Sequence, residues 1–360
     1  MIKQKRDFDF DDLKELASRE GIPLLDLLMI AVNREGARVK LPYPRARMQI
    51  RPLHQDEVWQ IILPLDNKES PFSLEDHYLL LRGVPVAELV ACENDDVVLT
   101  YLRANGRSLT LNTNSRSSCT GCIFCPNIIE DAADDCLSGV AQFEELLGWT
   151  AAEHGWLDLS QLEVITVCSG CFNTADAAIS HLTDLRVAAG RLRFNGRLHL
   201  LSSVVRSRSD LRILATDAAP FHLTLTLECF TRRNLLLKSS KASLTIDEAC
   251  RILNDCADLG VVGDFTYVAG LDPLEIAVSG LRRLAEHVST FPRIQVLQAH
   301  NNYMRQYRDP GARRLSYYLD LRRAIEDAFA MRGFRPRTWE NYRPLWYTQF
   351  AGGHVEGPRI

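Results

Sequence analysis

The sequence predicts an α/β protein, a partial (β/α)6 TIM-like barrel behind an N-terminal, mainly helical extension. Three observations predict it. Past residue 97, β-rich runs alternate with helical periodicity, the order that yields parallel strands and right-handed crossovers. The units number six, too few for a closed eight-stranded barrel. Finally, His222-Leu-Thr-Leu-Thr-Leu-Glu228 alternates with period two, so His222, Thr224, Thr226 and Glu228 share one face and the leucines the other. A parallel sheet covered by helices on both sides is apolar on both faces. A polar row implies a lumen or cleft, and favours the partial barrel over an open doubly wound sheet.

The elements follow in order. Residues 1–95 form the extension, where helical periodicity over residues 11–33 breaks at Gly21-Ile22-Pro23 into two helices. The Pro- and Arg-rich stretch after it, Leu41 to Pro52, reads as irregular. The barrel spans 96–333. It opens with a hairpin, Val97–Arg103 and Ser108–Asn112 around an Asn105-Gly106 turn. Strands follow at 164–167, 198–203, 222–227, 265–268 and 294–299. The helices between and after them cover 174–189, 209–215, a segment opening at Thr245, 273–289 and 312–332. Asn173 is a plausible cap for the first, and Thr245 with Glu248 fits a capping box. Residues 334–360 are a tail dense in aromatics and arginine, expected to pack on the barrel.

Composition excludes some functions. Net charge is −4, from 42 basic and 46 acidic residues, so no broad cationic surface is offered to nucleic acid. No apolar run reaches the roughly 18 residues of a membrane span. The basic tip turns acidic without an apolar stretch, unlike a secretory signal. A cytoplasmic protein without membrane or nucleic-acid partners is expected, and its ten cysteines are expected to stay reduced.

Five cysteines lie in two short stretches: Cys119, Cys122 and Cys125, then Cys168 and Cys171. Cys92, Cys136, Cys229, Cys250 and Cys256 are scattered, and the last two lie in a helical pattern as small buried apolar residues. The triplet directly follows the first barrel strand, on the carboxyl rim where ligands bind in such folds. Three close thiolates suit an iron–sulfur cluster or zinc. A structural zinc wants four protein ligands, and a closed site combining this loop with Cys168 and Cys171 in a non-catalytic binding protein is the rival reading. A [4Fe-4S] cluster on three thiolates keeps one iron open.

With an aromatic before its last cysteine (Phe124-Cys125), the loop resembles the cluster loop of the radical S-adenosylmethionine superfamily. The usual spacing there is three residues and then two; this chain has two and two, one of several variant spacings. The resemblance extends along the strand ends to about residue 300. Ser169 and Gly170, within Cys168–Cys171, match the motif that meets the methionyl amine, though the usual acidic residue is missing. Glu228 matches a position that contacts the ribose or methionine region, with Arg232 or Arg233 toward the carboxylate; a structural Glu228–arginine salt bridge is the plainer reading. Val268 and Gly270 resemble the adenine-contacting turn, with Glu275 trailing it.

The resemblance implies two cofactors, the [4Fe-4S] cluster on Cys119, Cys122 and Cys125, and S-adenosylmethionine chelating the open iron. One electron, from an external donor such as flavodoxin or ferredoxin, then generates a 5′-deoxyadenosyl radical. Glu228 and His300, which shares a strand face with Gln298, are the candidate catalytic residues. No cysteine follows Cys256, which argues against an auxiliary-cluster domain; no cobalamin-binding motif is evident. A small polar substrate in specialised metabolism is expected. The acidic run 130–135 reads as a solvated helix start, Tyr317 and Tyr318 as packing residues, and Arg343 as packing or an anion contact.

Overall fold

The structure, a computed structural model, describes residues 8–39, 41–65, 67–95, 100–112, 122–125, 137–168, 171–340 and 343–359. Two units divide the chain. The first comprises Met1–Asp96, Val268–Leu281 and Ile294–Ile360; the second comprises Val97–Tyr267 and Arg282–Arg293.

The first unit begins with the two expected helices, α1 (Phe10–Glu20) and α2 (Leu24–Glu35). Asp9 caps α1 by accepting from the backbone of Asp11 and Asp12, and Gly21 ends it in the left-handed conformation. An antiparallel sheet then replaces the irregular stretch expected from the sequence. Its strands are β1 (Arg45–Pro52), β2 (Trp59–Pro64), β3 (Phe72–Glu75), β4 (Tyr78–Leu81) and β5 (Val84–Asn94), in the order β2-β1-β5-β4-β3. The extension is therefore helical only at its start. In β1, buried Ala46, Met48 and Ile50 alternate with the partly exposed Arg47, Gln49 and Arg51, and the burial of this apolar face outweighs the Pro and Arg content.

The second unit carries the half-barrel. The expected hairpin is present as β6 (Thr100–Arg103) and β7 (Ser108–Leu111), antiparallel in register Arg103↔Ser108. After α3 (Gly139–Glu153) come β8 (Val164–Val167), α4 (Ala175–Arg191), β9 (Arg197–Ser202), α5 (Arg208–Asp217) and β10 (Phe221–Glu228). Thr174, one residue past the expected cap, accepts from Ala177 N–H. Two single turns, α6 (Arg233–Leu236) and α7 (Ser239–Ala242), precede α8 (Ile246–Asp258), whose cap Thr245 accepts from Glu248 N–H at 3.1 Å. The chain continues through β11 (Val262–Ala269), α9 (Leu274–Ala285) and β12 (Arg293–Val296), of which residues 268–281 and 294–296 belong to the first unit. The seven strands follow one another in the order β12-β11-β10-β9-β8-β7-β6, and β7 through β11 pair in parallel. This is the expected partial barrel with a hairpin at its edge.

On β10 the predicted alternation holds. Leu223, Leu225 and Leu227 are fully buried on one face, with α8 packed on the strand. Cys250 and Cys256 lie in the buried stripe of α8, as expected for small apolar residues, and burial pushes the Cys256 thiol up to about 12. Gly263 lets α8 approach this closely: a Cβ there would stand 3.1 Å from both Cys256 and Leu253.

In the first unit the chain ends with α10 (Asn302–Arg305), α11 (Leu315–Ala330) and the small hairpin β13 (Gln349–Phe350) and β14 (Gly353–His354). Tyr317 and Tyr318 are buried in α11, as expected for packing residues, and Trp346 donates to Glu326 Oε1 at 2.7 Å, which fastens the tail to α11. Among the described residues, no helix is long and apolar enough to cross a membrane.

Candidate cofactor site

The site of the second unit is built at the carboxyl ends of its strands. Cys122 and Cys125 form one turn, closed by Cys125 N–H donating to Cys122 O at 3.0 Å. Ile123 N–H donates to Leu236 O, which ties this turn to α6. The Lys238 backbone N–H points at Cys122 Sγ from 3.5 Å. Burial pushes the Cys122 thiol up; the Lys241 ammonium and the Lys238 N–H pull the other way, and Glu228 and Cys171 raise it further. Cys168, at the end of β8, is likewise raised by burial and feels Arg103, Lys241, Glu228 and Cys171. Cys119, Ser169 and Gly170 lie outside the described residues, as does the acidic run 130–135.

Glu228 ends β10 with φ +69°, a left-handed conformation that is costly for a non-glycine residue, and the β10–β11 register shifts just before it. Its partner is Lys241, whose Nζ donates to Oε1 at 2.7 Å; both side chains are about nine-tenths buried. Burial alone would depress the Lys241 ammonium, but Glu228, Cys171 and Cys122 outweigh it and hold the pKa well above the ordinary lysine value. The salt-bridge reading of Glu228 with Arg233 is thereby corrected. The Arg233 guanidinium instead donates to the carbonyls of Leu227, Cys229 and Lys241, pinning the strand end to α7. Arg232, also left-handed at φ +51°, caps α6 and is exposed. Phe124 is partly exposed in the cysteine turn.

The polar row of β10 divides in two. Its lower half is filled by protein: His222 stacks on His199 at 4.2 Å, and His199 bridges Thr166 (3.1 Å) and Thr224 (2.8 Å). His222 Nε2 lies 3.2 Å from Asp264 Oδ2, which Arg293 approaches from the other side. At this level protein side chains, rather than a ligand, meet the polar row. In the upper half the hydroxyl of Thr226, two residues before Glu228, is buried and has no hydrogen-bond partner; nor has that of Ser203, just past β9. Unpaired buried hydroxyls are costly.

Val268, Gly270 and His300 belong to the first unit. Gly270 has φ +110°, and a Cβ there would stand 2.9 Å from the Tyr318 hydroxyl, so only glycine fits this turn. His300 is buried with both ring nitrogens unpartnered. Sequence reasoning missed Lys241: in Ser239-Ser-Lys-Ala-Ser it reads as a solvated loop, and no local pattern marks it as buried.

The fold and site define an α/β half-barrel protein with a sulfur-rich carboxyl rim. No family model matches the chain, and no curated protein matches it. Among solved structures, the chain is similar to SuiB of Streptococcus suis bound to the precursor peptide SuiA, at 14% identity and TM-score 0.43, covering 65% of this chain and 48% of that one. It is also similar to the radical S-adenosylmethionine methyltransferase TsrM of Kitasatospora setae, bound to cobalamin and a [4Fe-4S] cluster (13%, TM-score 0.38, 52% and 36%). A radical SAM methyltransferase from Sphaerobacter thermophilus matches over 96% of this chain and 97% of that one, at 13% identity and TM-score 0.38. The chain spans about half the length of SuiB and about a third of TsrM.

Proposed function

We propose that the chain is a radical S-adenosylmethionine enzyme acting on a small polar substrate in specialised metabolism. The observation that supports this best is the convergence, at one end of the half-barrel, of the Cys122–Cys125 turn, the Glu228–Lys241 pair and the unpartnered hydroxyls of Ser203 and Thr226.

The donor set fits a [4Fe-4S] cluster. Cys122 and Cys125, with Cys119, would hold it, and the Lys238 N–H aimed at Cys122 Sγ is a hydrogen bond of the kind that tunes such clusters. When bound, the cluster supplies one electron, received from an external donor such as flavodoxin or ferredoxin, to cleave S-adenosylmethionine into methionine and a 5′-deoxyadenosyl radical. The chain's own residues bind and orient. Glu228 and Thr226 offer a carboxylate and a hydroxyl to the ribose, and Lys241 brings a fixed positive charge for the methionine carboxylate. Ser169 and Gly170 would meet the amine, Phe124 would cover the cluster, and Val268 and Gly270 would contact adenine. Arg232 stays a candidate for the carboxylate, whereas Arg233 acts by positioning Lys241 through its carbonyl. His300 would contact substrate. Burial of the Glu228–Lys241 pair keeps water from that part of the rim, which suits radical chemistry.

Anaerobic reconstitution tests the proposal. The enzyme turns brown, holds about four irons per chain and, with dithionite and S-adenosylmethionine, releases 5′-deoxyadenosine. A colourless protein holding zinc instead would sink the reading and leave the structural-zinc alternative.

A further inference from the structure

We infer that Arg233, with Arg206, clamps residues 233–242 into a brace that sets Cys122 and Lys241 in place together. The inference rests on the reading of Cys122 as a cluster ligand and adds the side chains that position it.

The brace touches both halves of the rim. Leu236 O accepts from Ile123 N–H at 3.1 Å, and Lys238 N–H points at Cys122 Sγ from 3.5 Å. Further along, Lys241 Nζ meets Glu228 Oε1 at 2.7 Å. One short segment thus carries both the N–H aimed at sulfur and the cation of the buried pair.

That segment does not hold its own shape. Its helices α6 and α7 have four residues each, and a helix below about 12 residues is marginal without tertiary support. Leu236 and Leu237 are buried and fix its middle. Guanidiniums hold the rest. Arg233 donates to Leu227 O at 2.6 Å, to Cys229 O, to Lys241 O at 2.5 Å and to Ala242 O at 3.4 Å. It thereby joins the end of β10 to the far end of the brace. Arg206, which follows β9, donates to Ser203 O at 2.7 Å, to Ser240 O, and to Ser243 Oγ at 3.1 Å. The carbonyls of a single helical turn have no partners within it, so cationic donors suit them.

Shape is what these two positions require. A planar fork of N–H donors reaches several carbonyls at once, whereas an ammonium is a point charge on a flexible stem. Both arginines are positioning residues that act through the brace. A hydrogen bond to a ligating sulfur favours the reduced, more negative cluster, so a loosened brace makes reduction harder.

The full-length, anaerobically reconstituted protein tests this. Arg233→Lys and Arg206→Lys keep the charge and lose the fork. Each should hold as much iron as the parent, yet show at least threefold less reduced cluster by electron paramagnetic resonance at one fixed potential. Arg233→Lys, which releases the Lys241 carbonyl, should also bind S-adenosylmethionine at least tenfold more weakly. A merely structural arginine would lower Tm and leave the reduced fraction alone. A second measurement replaces Lys238 by its α-hydroxy acid, exchanging only the N–H for an ester oxygen. It should lower the reduced fraction and leave the affinity for S-adenosylmethionine unchanged, and it decides the matter if Arg233→Lys does not fold. A parent-like reduced fraction in Arg233→Lys or in the Lys238 ester overturns the brace. A colourless parent overturns the radical reading and this inference together; a brown parent with unresponsive variants overturns the inference alone.

Discussion

Lys241 Nζ donates to Glu228 Oε1 at 2.7 Å, joining a single-turn helix to the left-handed end of β10 beneath the cysteine turn. The pair is buried, so each charge depends on the other to offset its loss of hydration. Arg233 holds the geometry from behind by donating to the Lys241 carbonyl. Nothing nearer in sequence supplies Glu228 with this cation.

Removing one partner leaves a buried charge unpaired. Lys241→Met and Glu228→Gln are each expected to destabilise the protein by about 3–5 kcal/mol, read from urea unfolding. The double variant should recover much of that loss. Single variants as stable as the parent would mean that the pair is hydrated in solution.

The cysteine turn makes a separate prediction. Cys122→Ala should hold less iron and release no 5′-deoxyadenosine, whereas Cys250→Ala, in the buried stripe of α8, should retain both. Iron assay and product chromatography on the same anaerobic preparations distinguish the two. Equal iron in both variants would remove Cys122 from the ligand set.

Acid sensitivity follows from His181, which packs edge-on against Phe143 and Phe172 and which burial lowers from 6.5 to about 4. Here the unfolded chain binds the proton more readily than the folded one, so stability is full above the unfolded value. It falls as pH drops from 6.5 toward 4, by roughly 3 kcal/mol at most. His300 adds to the same trend over a range reaching about 3. Thermal melts across pH 4–7 should show a loss that His181→Leu reduces; an unchanged slope would contradict the assignment.

In the first unit, Asp26 accepts from Arg322 Nη1 at 2.6 Å, Thr348 N–H at 2.8 Å and Thr348 Oγ1 at 2.7 Å. One carboxylate on α2 thus fastens α11 and the C-terminal tail. Asp26→Ala removes one of the two carboxylates on buried Arg322, whose Nε stays paired with Glu326 at 2.9 Å. It also leaves Thr348 N–H and Oγ1 without their acceptor, so a loss of about 1–3 kcal/mol is expected. Limited proteolysis should then cut within 343–359, and resistance equal to the parent would refute this role for Asp26.

Much of the barrel was legible because its signals are local. The Asn105-Gly106 turn, the period-two run of β10 and the Thr245 cap each depend on residues within a few positions of one another. The antiparallel sheet of 45–94 was not legible for the opposite reason. In Arg-Ala-Arg-Met-Gln-Ile-Arg-Pro the strand pattern is present, but its three arginines and closing proline favour irregular chain until β2 and β5 pair on either side. The polar row of β10 was read as lining a lumen or cleft, yet its lower half meets His199 and Asp264, which come from other strands.

By itself the sequence determined the order of the barrel's strands and helices, the two faces of β10 and the clustering of sulfur after the first barrel strand. Periodicity, turns and spacing act over a few residues, so they are written in the chain. Tertiary structure alone decided that Lys241 rather than an adjacent arginine answers Glu228, and that Asp26 fastens α11 and the C-terminal tail. Charge pairing depends on distance in space and on the exclusion of water, and neither exists until the strands have assembled.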